Sequence, residues 1–134
     1  MSESYESGLG ELEDRLAYHF RRKELLVLSL THPSWAQDHG GDTTANQRLE
    51  FLGDSVLGLV VAEELYRTFP NQAEGFLTRN RSALVKGQNL VEVATEIGLE
   101  SHLRLGRAEQ NAGNRGRKSR LEDALEALVG AVYL

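Results

Sequence analysis

The sequence predicts an all-α domain, and three observations support this prediction. Apolar residues recur at helical spacing along most of the 134-residue chain, whereas the alternating pattern of strands is scarce. There are only two prolines, and both stand at the boundaries of predicted helices. Hydrophobic residues make up 40% and charged residues 26%, an ordinary balance for a globular protein. A chain of this length is expected to form one domain.

The first three helices are predicted from apolar stripes and from the residues that end them. The first runs from about Gly10 to Phe20, where Leu12, Leu16 and Phe20 share one stripe. The second runs from about Lys23 to Leu30 and ends at residues 32–34, because the residue before a proline resists the α conformation. Residues 37–46 form a polar loop that contains a glycine pair. The third helix runs from about Asn46 to Thr68.

Three more helices are predicted in the second half of the chain. The fourth runs from about Glu74 to Lys86, and the fifth runs from about Asn89 to Ile97 and ends at Gly98. Residues 106–117 contain three glycines and two asparagines, which predicts a mobile loop. The last helix begins near Ser119.

The composition excludes several classes of protein. The chain has no cysteine, which excludes a disulfide framework, a thiolate zinc site and a cysteine nucleophile. No apolar run approaches the ~20 residues of a membrane helix. The first fourteen residues contain five acidic and no basic residues, the wrong charge for a secretory signal or transit peptide. We therefore expect a cytoplasmic protein with no membrane partner.

The charge is distributed unevenly. The net charge of −5 argues weakly against a general nucleic-acid binder. Residues 101–120, however, contain six basic residues and one acidic residue. This segment could contact phosphates, or it could be an ordinary solvated surface; its charge alone leaves both interpretations open.

Two predicted helices each carry a pair of carboxylates on a face that otherwise favours burial. Glu50 and Asp54 are four residues apart on the third helix, which is apolar nearly all round and is therefore predicted to be a buried central helix. Asp123 and Glu126 are three apart on the last helix. The glycines at 53 and 58 predict close approach of a neighbouring helix.

Four converging carboxylates would repel one another unless a divalent cation lay among them. Carboxylate oxygens suit Mg²⁺ or Mn²⁺, and such ions can activate water against a phosphodiester. Two alternatives remain at this point: each pair could cap a helix, or it could form salt bridges, for which Arg48 is a candidate partner.

The sequence around the first pair resembles a known family. Residues 46–57, NQRLEFLGDSVL, are similar to the signature of the ribonuclease III catalytic domain. Three further segments agree in order: residues 30–34, 74–85 and 122–131. The resemblance extends over residues 12–134.

The resemblance implies an all-helical, Mg²⁺-dependent endoribonuclease that cuts double-stranded RNA as a homodimer, with Mn²⁺ able to substitute. It implies hydrolysis to 5′-phosphate and 3′-hydroxyl ends, in the processing of structured RNA such as ribosomal RNA precursors. The residues that match the family's metal ligands are Glu50, Asp54, Asp123 and Glu126, of which Asp54 and Glu126 are also assigned as catalytic.

Other positions also match the family. Glu74 corresponds to a further acid of the cleft, and Phe51 to an aromatic residue that docks into the partner subunit, although an ordinary core phenylalanine is the alternative. His32 is expected to have a structural, hydrogen-bonded role. Gln47 is also assigned to the cleft, but it stands where the family commonly has glutamate. The expected phosphate contacts are Arg79, Arg81, Lys86, Arg104 and Arg107.

The length of the chain is a second departure from the family, after the glutamine at position 47. The chain stops within an apolar helical run, so we expect residues 1–134 to be a catalytic domain cut short at its C-terminal end and without a double-stranded-RNA-binding domain. Affinity for RNA would then fall steeply with salt. The alternative function is a non-catalytic RNA-binding or scaffold relative, against which the retention of all four carboxylates argues.

Overall fold

The computed structural model describes residues 3–41 and 44–134, and over these residues it confirms the all-α prediction. A short 3₁₀ turn, Leu99–His102, lies between two of the helices. The helices are α1 (Glu3–Leu16), α2 (Lys23–Ser29), α3 (Pro33–Asp38), α4 (Gln47–Thr68), α5 (Glu74–Leu84), α6 (Gln88–Glu96), α7 (Arg107–Asn111) and α8 (Arg117–Tyr133). No helix in the described part of the chain is long and apolar enough to cross a membrane.

The first helix differs from its predicted range. α1 starts at least seven residues earlier than expected and ends at Leu16, since Ala17 takes a positive φ of 52°. Phe20 is buried, but it lies outside the helix. Its N–H donates to the buried carboxylate of Glu13 at 2.6 Å, and Lys23 pairs with the same carboxylate. The apolar stripe therefore predicted the burial of Phe20 correctly, but it wrongly placed Phe20 in the helix.

The proline at residue 33 begins a helix that the sequence did not predict. Pro33 is the first residue of α3, a position where its missing N–H is no disadvantage. His32 caps this helix by accepting the N–H of Ser34. The polar loop consequently begins after Asp38 rather than at residue 37, and residues 42–43 of the predicted loop lie outside the described residues.

The long helix α4 packs against α8 at two glycines. A Cβ atom at Gly53 would overlap the carbonyl oxygen of Glu126, and one at Gly130 would overlap the carbonyl oxygen of Leu49. The two backbones are therefore in direct contact. The predicted close approach is confirmed at Gly53 and wrong at Gly58, where a Cβ would meet nothing within 4 Å.

α4 is not the fully buried helix that its apolar sequence predicted. Only Leu49, Gly53 and Leu65 are buried, whereas Leu59 is 71% and Val60 59% exposed. The core is built mainly by α1, α2, α6 and α8, and α4 contributes one side. An apolar surface along α4 is thus left open in the single chain.

Candidate active site

The contact between α4 and α8 brings the two acidic pairs together. Glu50 and Asp54 lie on consecutive turns of α4, on either side of Gly53 along the chain. Asp123 and Glu126 lie on α8, and the Glu126 carbonyl is the atom that meets Gly53. Because the helices touch at this point, side chains from both helices project into one acidic cluster.

A hydrogen bond joins the side chains of Glu50 and Asp123 across the two helices. Burial, the charge of Asp123, a hydrogen bond to Asp123 and the charge of Asp54 raise the pKa of Glu50 to about 7. Burial also raises the pKa of Asp123, although the Glu50 hydrogen bond and the charge of His32 oppose this. These directions make Glu50 the hydrogen-bond donor, so one proton is held between two carboxyl groups that would otherwise repel each other.

Glu126 interacts electrostatically with every other member of the acidic cluster. Burial is the largest cause that raises its pKa to about 7, followed by the charges of Asp54, Glu50, Asp123 and Glu122. Asp54 is exposed, and it acts on both Glu50 and Glu126. The four predicted carboxylates are therefore electrostatically coupled, which the spacing in either helix alone did not establish.

The cluster favours positive charge but is not a preformed metal site. Across residues 3–41 and 44–134, no three His, Asp or Glu side chains lie together in an arrangement that could hold a metal ion. The donors nevertheless fit a hard divalent cation, because carboxylate oxygens are its preferred ligands. Burial is the main cause of the raised pKa values, and the uncompensated negative charges of the neighbouring carboxylates add to it. Arg48 does not neutralise this negative charge, because among the described residues Arg48 forms no ion pair with any of the four carboxylates.

His32 is a neighbour of the cluster that sequence analysis did not place there. Its expected hydrogen-bonded role is confirmed by the cap of α3. The structure adds that Asp123 is among the charged groups that act on its ring. No sequence signal connects residue 32 with residue 123, because their relation depends on the tertiary fold.

The other two assigned cleft residues have exposed side chains. Gln47 is exposed in the first turn of α4, and with Phe51 and Leu52 it lines a groove of about 600 Å³. Glu74 is exposed at the first residue of α5. Glu74 is not among the charged groups that shift the pKa values of the cluster.

Phe51 is not a core residue. Its side chain is 79% exposed, so the core alternative considered from sequence is wrong. The groove that it shares with Leu25, Leu28 and Leu52 has a mostly apolar lining. A large aromatic side chain beside an apolar groove is a feature of interaction surfaces.

The predicted phosphate contacts divide into two groups. Arg79, Arg81, Lys86 and Arg107 are exposed. Arg104, in contrast, is partly buried and contacts other side chains of the chain. Its guanidinium stacks 3.8 Å from the centre of the Trp35 ring and donates twice to the hydroxyl of Thr31, at 2.8 and 3.1 Å.

The basic segment is also more ordered than predicted. It contains α7, and the buried Arg120 donates to the carbonyl oxygens of Gly113 and Arg115 at 2.8 and 3.1 Å. Arg120 also pairs with Glu109, and Arg117 pairs with Glu100. A mobile loop was therefore the wrong prediction for residues 107–111, which form a short helix that ends at Asn111 and is held in place by Arg120.

Comparison with known proteins identifies the family. The profile of the Ribonuclease-III-like family matches residues 22–134, and the chain belongs to this family. Ribonuclease 3 of Nitratidesulfovibrio vulgaris is 50% identical over 124 residues, which cover 92% of this chain and 49% of that protein. Ribonuclease 3 of Streptomyces coelicolor is 53% identical over 123 residues, or 92% of this chain and 44% of that protein. The chain thus spans about half the length of these relatives.

Solved structures agree with this assignment. The nuclease domain of ribonuclease III from Campylobacter jejuni superposes with a TM-score of 0.85 and 41% identity, covering 92% of this chain and 82% of that one. Dicer from Pichia stipitis is a more distant match, with a TM-score of 0.60 and 28% identity over 84% of this chain and 45% of that one.

Proposed function

We propose that residues 1–134 form one catalytic domain that hydrolyses double-stranded RNA with Mg²⁺, for which Mn²⁺ can substitute. The observation that carries this proposal is the coupled acidic cluster at the α4–α8 contact, in a chain of the Ribonuclease-III-like family. The products would carry 5′-phosphate and 3′-hydroxyl ends. Structured RNAs, such as ribosomal RNA precursors, are the proposed substrates.

All four carboxylates are proposed to bind the cation, and two of them are also proposed to be catalytic. Glu50, Asp54, Asp123 and Glu126 would hold the cation, with side-chain rotation bringing their oxygens together. When bound, Mg²⁺ supplies Lewis acidity to the phosphate and lowers the pKa of water. Asp54 and Glu126, which interact across the two helices, are the proposed catalytic pair. The glycine contact fixes the distance between the helices that carry them.

Binding of RNA would depend on exposed cations. The proposed phosphate contacts are Arg79, Arg81, Lys86 and Arg107, all exposed, while Gln47 and Glu74 remain proposed accessory residues of the cleft. We do not retain Arg104, since Thr31 and Trp35 already occupy its guanidinium. A-form RNA presents its 2′-hydroxyls and phosphates across a wide minor groove, so recognition by shape is expected.

A homodimer is the proposed assembly. Phe51 projects beside the apolar groove that Leu25, Leu28 and Leu52 line, and Leu134 closes one side of it. Two copies related by a two-fold axis could exchange this aromatic side chain for a groove on the partner. The Campylobacter nuclease domain is described as having a flexible region involved in dimer formation, which supports an interface in this family.

The proposed activity can be tested with a long RNA duplex at low salt in the presence of Mg²⁺. The parent chain should cleave it to fragments with 5′-phosphate ends, whereas Glu126→Gln should bind the duplex but leave it intact. Glu122→Gln is a matched control on the same helix, because it removes a neighbouring charge that lies outside the proposed ligands. Loss of cleavage in the Glu122 variant alone would contradict the assignment of Glu126.

A scaffold function is the second candidate. It is favoured by the lack of a preformed three-ligand metal site among the described residues. On this alternative the chain would fold and bind duplex RNA at low salt, yet cleave nothing at any Mg²⁺ or Mn²⁺ concentration. Cleavage by the parent that disappears in Asp54→Asn excludes the scaffold.

A further inference from the structure

A three-layered stack of side chains, made of Arg104, Trp35 and His39, lies beside α3. The imidazole of His39 is nearly parallel to the indole of Trp35, with ring centres 3.8 Å apart and planes inclined by 15°. The guanidinium carbon of Arg104 also lies 3.8 Å from the centre of the indole ring. Two groups cannot share one face of a ring at this distance, so Trp35 is sandwiched between Arg104 and His39.

Hydrogen bonds fix both outer layers of this stack. Arg104 donates twice to the Thr31 hydroxyl. Nδ1 of His39 lies 2.7 Å from the backbone carbonyl oxygen of Trp35, and because a carbonyl oxygen only accepts, Nδ1 carries the hydrogen. The backbone N–H of His39 donates to the Ala36 carbonyl oxygen at 3.2 Å. The imidazole is therefore held flat over the indole before any ligand binds.

The outer face of His39 is open. His39 is exposed, whereas Trp35 and Arg104 are half-buried. Since Trp35 covers the inner face of the imidazole, the exposed surface of the ring is its outer face and its Nε2 edge. Among the described residues, no second aromatic ring stacks on that outer face. The stack therefore ends in a flat surface that one more ring could extend.

An exposed cation stands next to this surface. Asp38, the residue before His39, accepts the backbone N–H of Arg107 at 2.8 Å, which joins the end of α3 to the start of α7. The side chain of Arg107 is exposed, and it takes part in no ion pair within the described part of the chain. A flat ring and a free guanidinium are thus side by side.

We propose that this surface binds an unpaired nucleotide of RNA, whose base stacks on His39 while Arg107 contacts the adjoining phosphate. The site rests on the proposed function, because it defines a feature that the domain would select in its RNA substrate. Proteins recognise unpaired bases by stacking them on aromatic rings, histidine included, and combine such rings with cations that contact the backbone. A base within a regular duplex has both faces covered, so the site would favour a bulged or looped nucleotide.

Two RNA duplexes that differ only at a single bulge test this site. One carries a bulged adenosine and the other an abasic nucleotide, so both have the same backbone charge and the same interruption of the duplex. Affinities are measured at low salt without divalent metal, so that neither RNA is cleaved. The parent should bind the adenosine duplex roughly five- to a hundredfold more tightly, which is the contribution of one base stacked on an aromatic side chain.

Three variants assign this preference to the ring of His39. His39→Ala should bind both duplexes as the parent binds the abasic one. His39→Phe retains a flat ring at the same place and should keep the preference for adenosine. Gln37→Ala is a matched control, because Gln37 is an exposed neighbour on α3 that lies outside the stack. Thermal unfolding of each variant confirms that it is folded under the conditions of the binding measurement.

The outcomes separate this site from the proposed function. A parent that binds the two duplexes equally overturns the nucleotide site, while binding of duplex RNA stands. A preference for adenosine that survives His39→Ala places the base elsewhere, and one that is lost in His39→Phe as well excludes stacking; either result also overturns the site. A parent that binds neither duplex overturns the proposed function, and the nucleotide site with it.

Discussion

Gly53 of α4 faces the carbonyl oxygen of Glu126 on α8 so closely that a Cβ atom at residue 53 would overlap it. The position of a proposed catalytic carboxylate is therefore tied to the absence of a side chain on the opposite helix. Glycine inside a helix costs roughly 1 kcal/mol relative to alanine, so this contact is made at the expense of helix propensity.

A pair of glycine substitutions tests this contact. Gly53→Ala should lower the free energy of unfolding by roughly 1–3 kcal/mol, because overpacking must separate the two backbones. Gly58→Ala on the same helix should raise it by roughly 0.5–1 kcal/mol, because its Cβ meets nothing within 4 Å. Urea denaturation measures both. Equal effects of the two substitutions would contradict the close contact of α4 with α8.

The acidic cluster predicts an unusual dependence of stability on pH. The pKa values of Glu50 and Glu126 are about 7 in the folded chain, against 4.5 for unperturbed glutamate. Between these values the folded state binds more protons than the unfolded state, so these groups reduce stability as pH rises from about 4.5 to 7. Above pH 7 the loss is complete, and a divalent cation should restore stability most strongly there.

Comparison with a variant isolates this effect from other titrating groups. His32 and His102 act in the opposite direction, since burial lowers the pKa of each and their protonation destabilises the fold as pH falls. Glu126→Gln retains both histidines. Relative to the parent it should gain stability at pH 8 and gain little at pH 4, as measured by urea denaturation without metal. A difference that is constant with pH would disprove the coupling.

Phe51→Ala tests the proposed dimer. Full burial of a phenylalanine side chain is worth roughly 1.5–3 kcal/mol and a two-fold dimer buries two of them, so the dissociation constant should rise by roughly a hundredfold or more. Tyr66→Ala is the matched control, because Tyr66 is also exposed on α4, 73% against 79%, but lies outside the groove. Sedimentation at low micromolar concentration distinguishes the two. Unchanged sedimentation of the Phe51 variant would contradict the interface.

The sequence predicted most helices because their determinants are local. Both ends of α4 lie within a residue or two of their predicted positions. Gly98, which follows α6, has the positive φ that glycine allows and stops the helix as predicted. The exposed side of α4 could not be predicted, since an apolar sequence does not reveal whether the single chain has enough partners to cover it. The contacts of Arg104 could not be predicted for a related reason: its stacking on Trp35 joins residues far apart in sequence.

The glutamine at position 47 gives a test of the cleft. We expect Gln47→Glu to raise cleavage modestly at low Mg²⁺, because it adds negative charge at a position where the family commonly has glutamate. Gln37→Glu is a suitable control, since Gln37 lines a second groove together with Gln47 and Arg48 and undergoes the same change in charge. The measurement is a Mg²⁺ titration of duplex cleavage at fixed RNA concentration. Superimposable titrations for the parent and both variants would refute the hypothesis.

The two classes of arginine predict separable effects on stability and RNA binding. Arg104→Ala removes two hydrogen bonds to Thr31 and the stack on Trp35, so it should lower the free energy of unfolding by roughly 1–3 kcal/mol. Arg81→Ala removes an exposed cation and should leave stability within about 0.5 kcal/mol of the parent.

The affinity for duplex RNA should be reduced by Arg81→Ala, the substitution that has little effect on stability. Arg81→Ala should weaken binding and reduce the slope of log affinity against log salt by about 1, because one phosphate contact is lost. Arg104→Ala should leave that slope unchanged at a temperature where the variant remains folded, because its guanidinium is engaged by Thr31 and Trp35. A salt slope reduced by Arg104→Ala and not by Arg81→Ala would return Arg104 to the set of phosphate contacts and remove Arg81 from it.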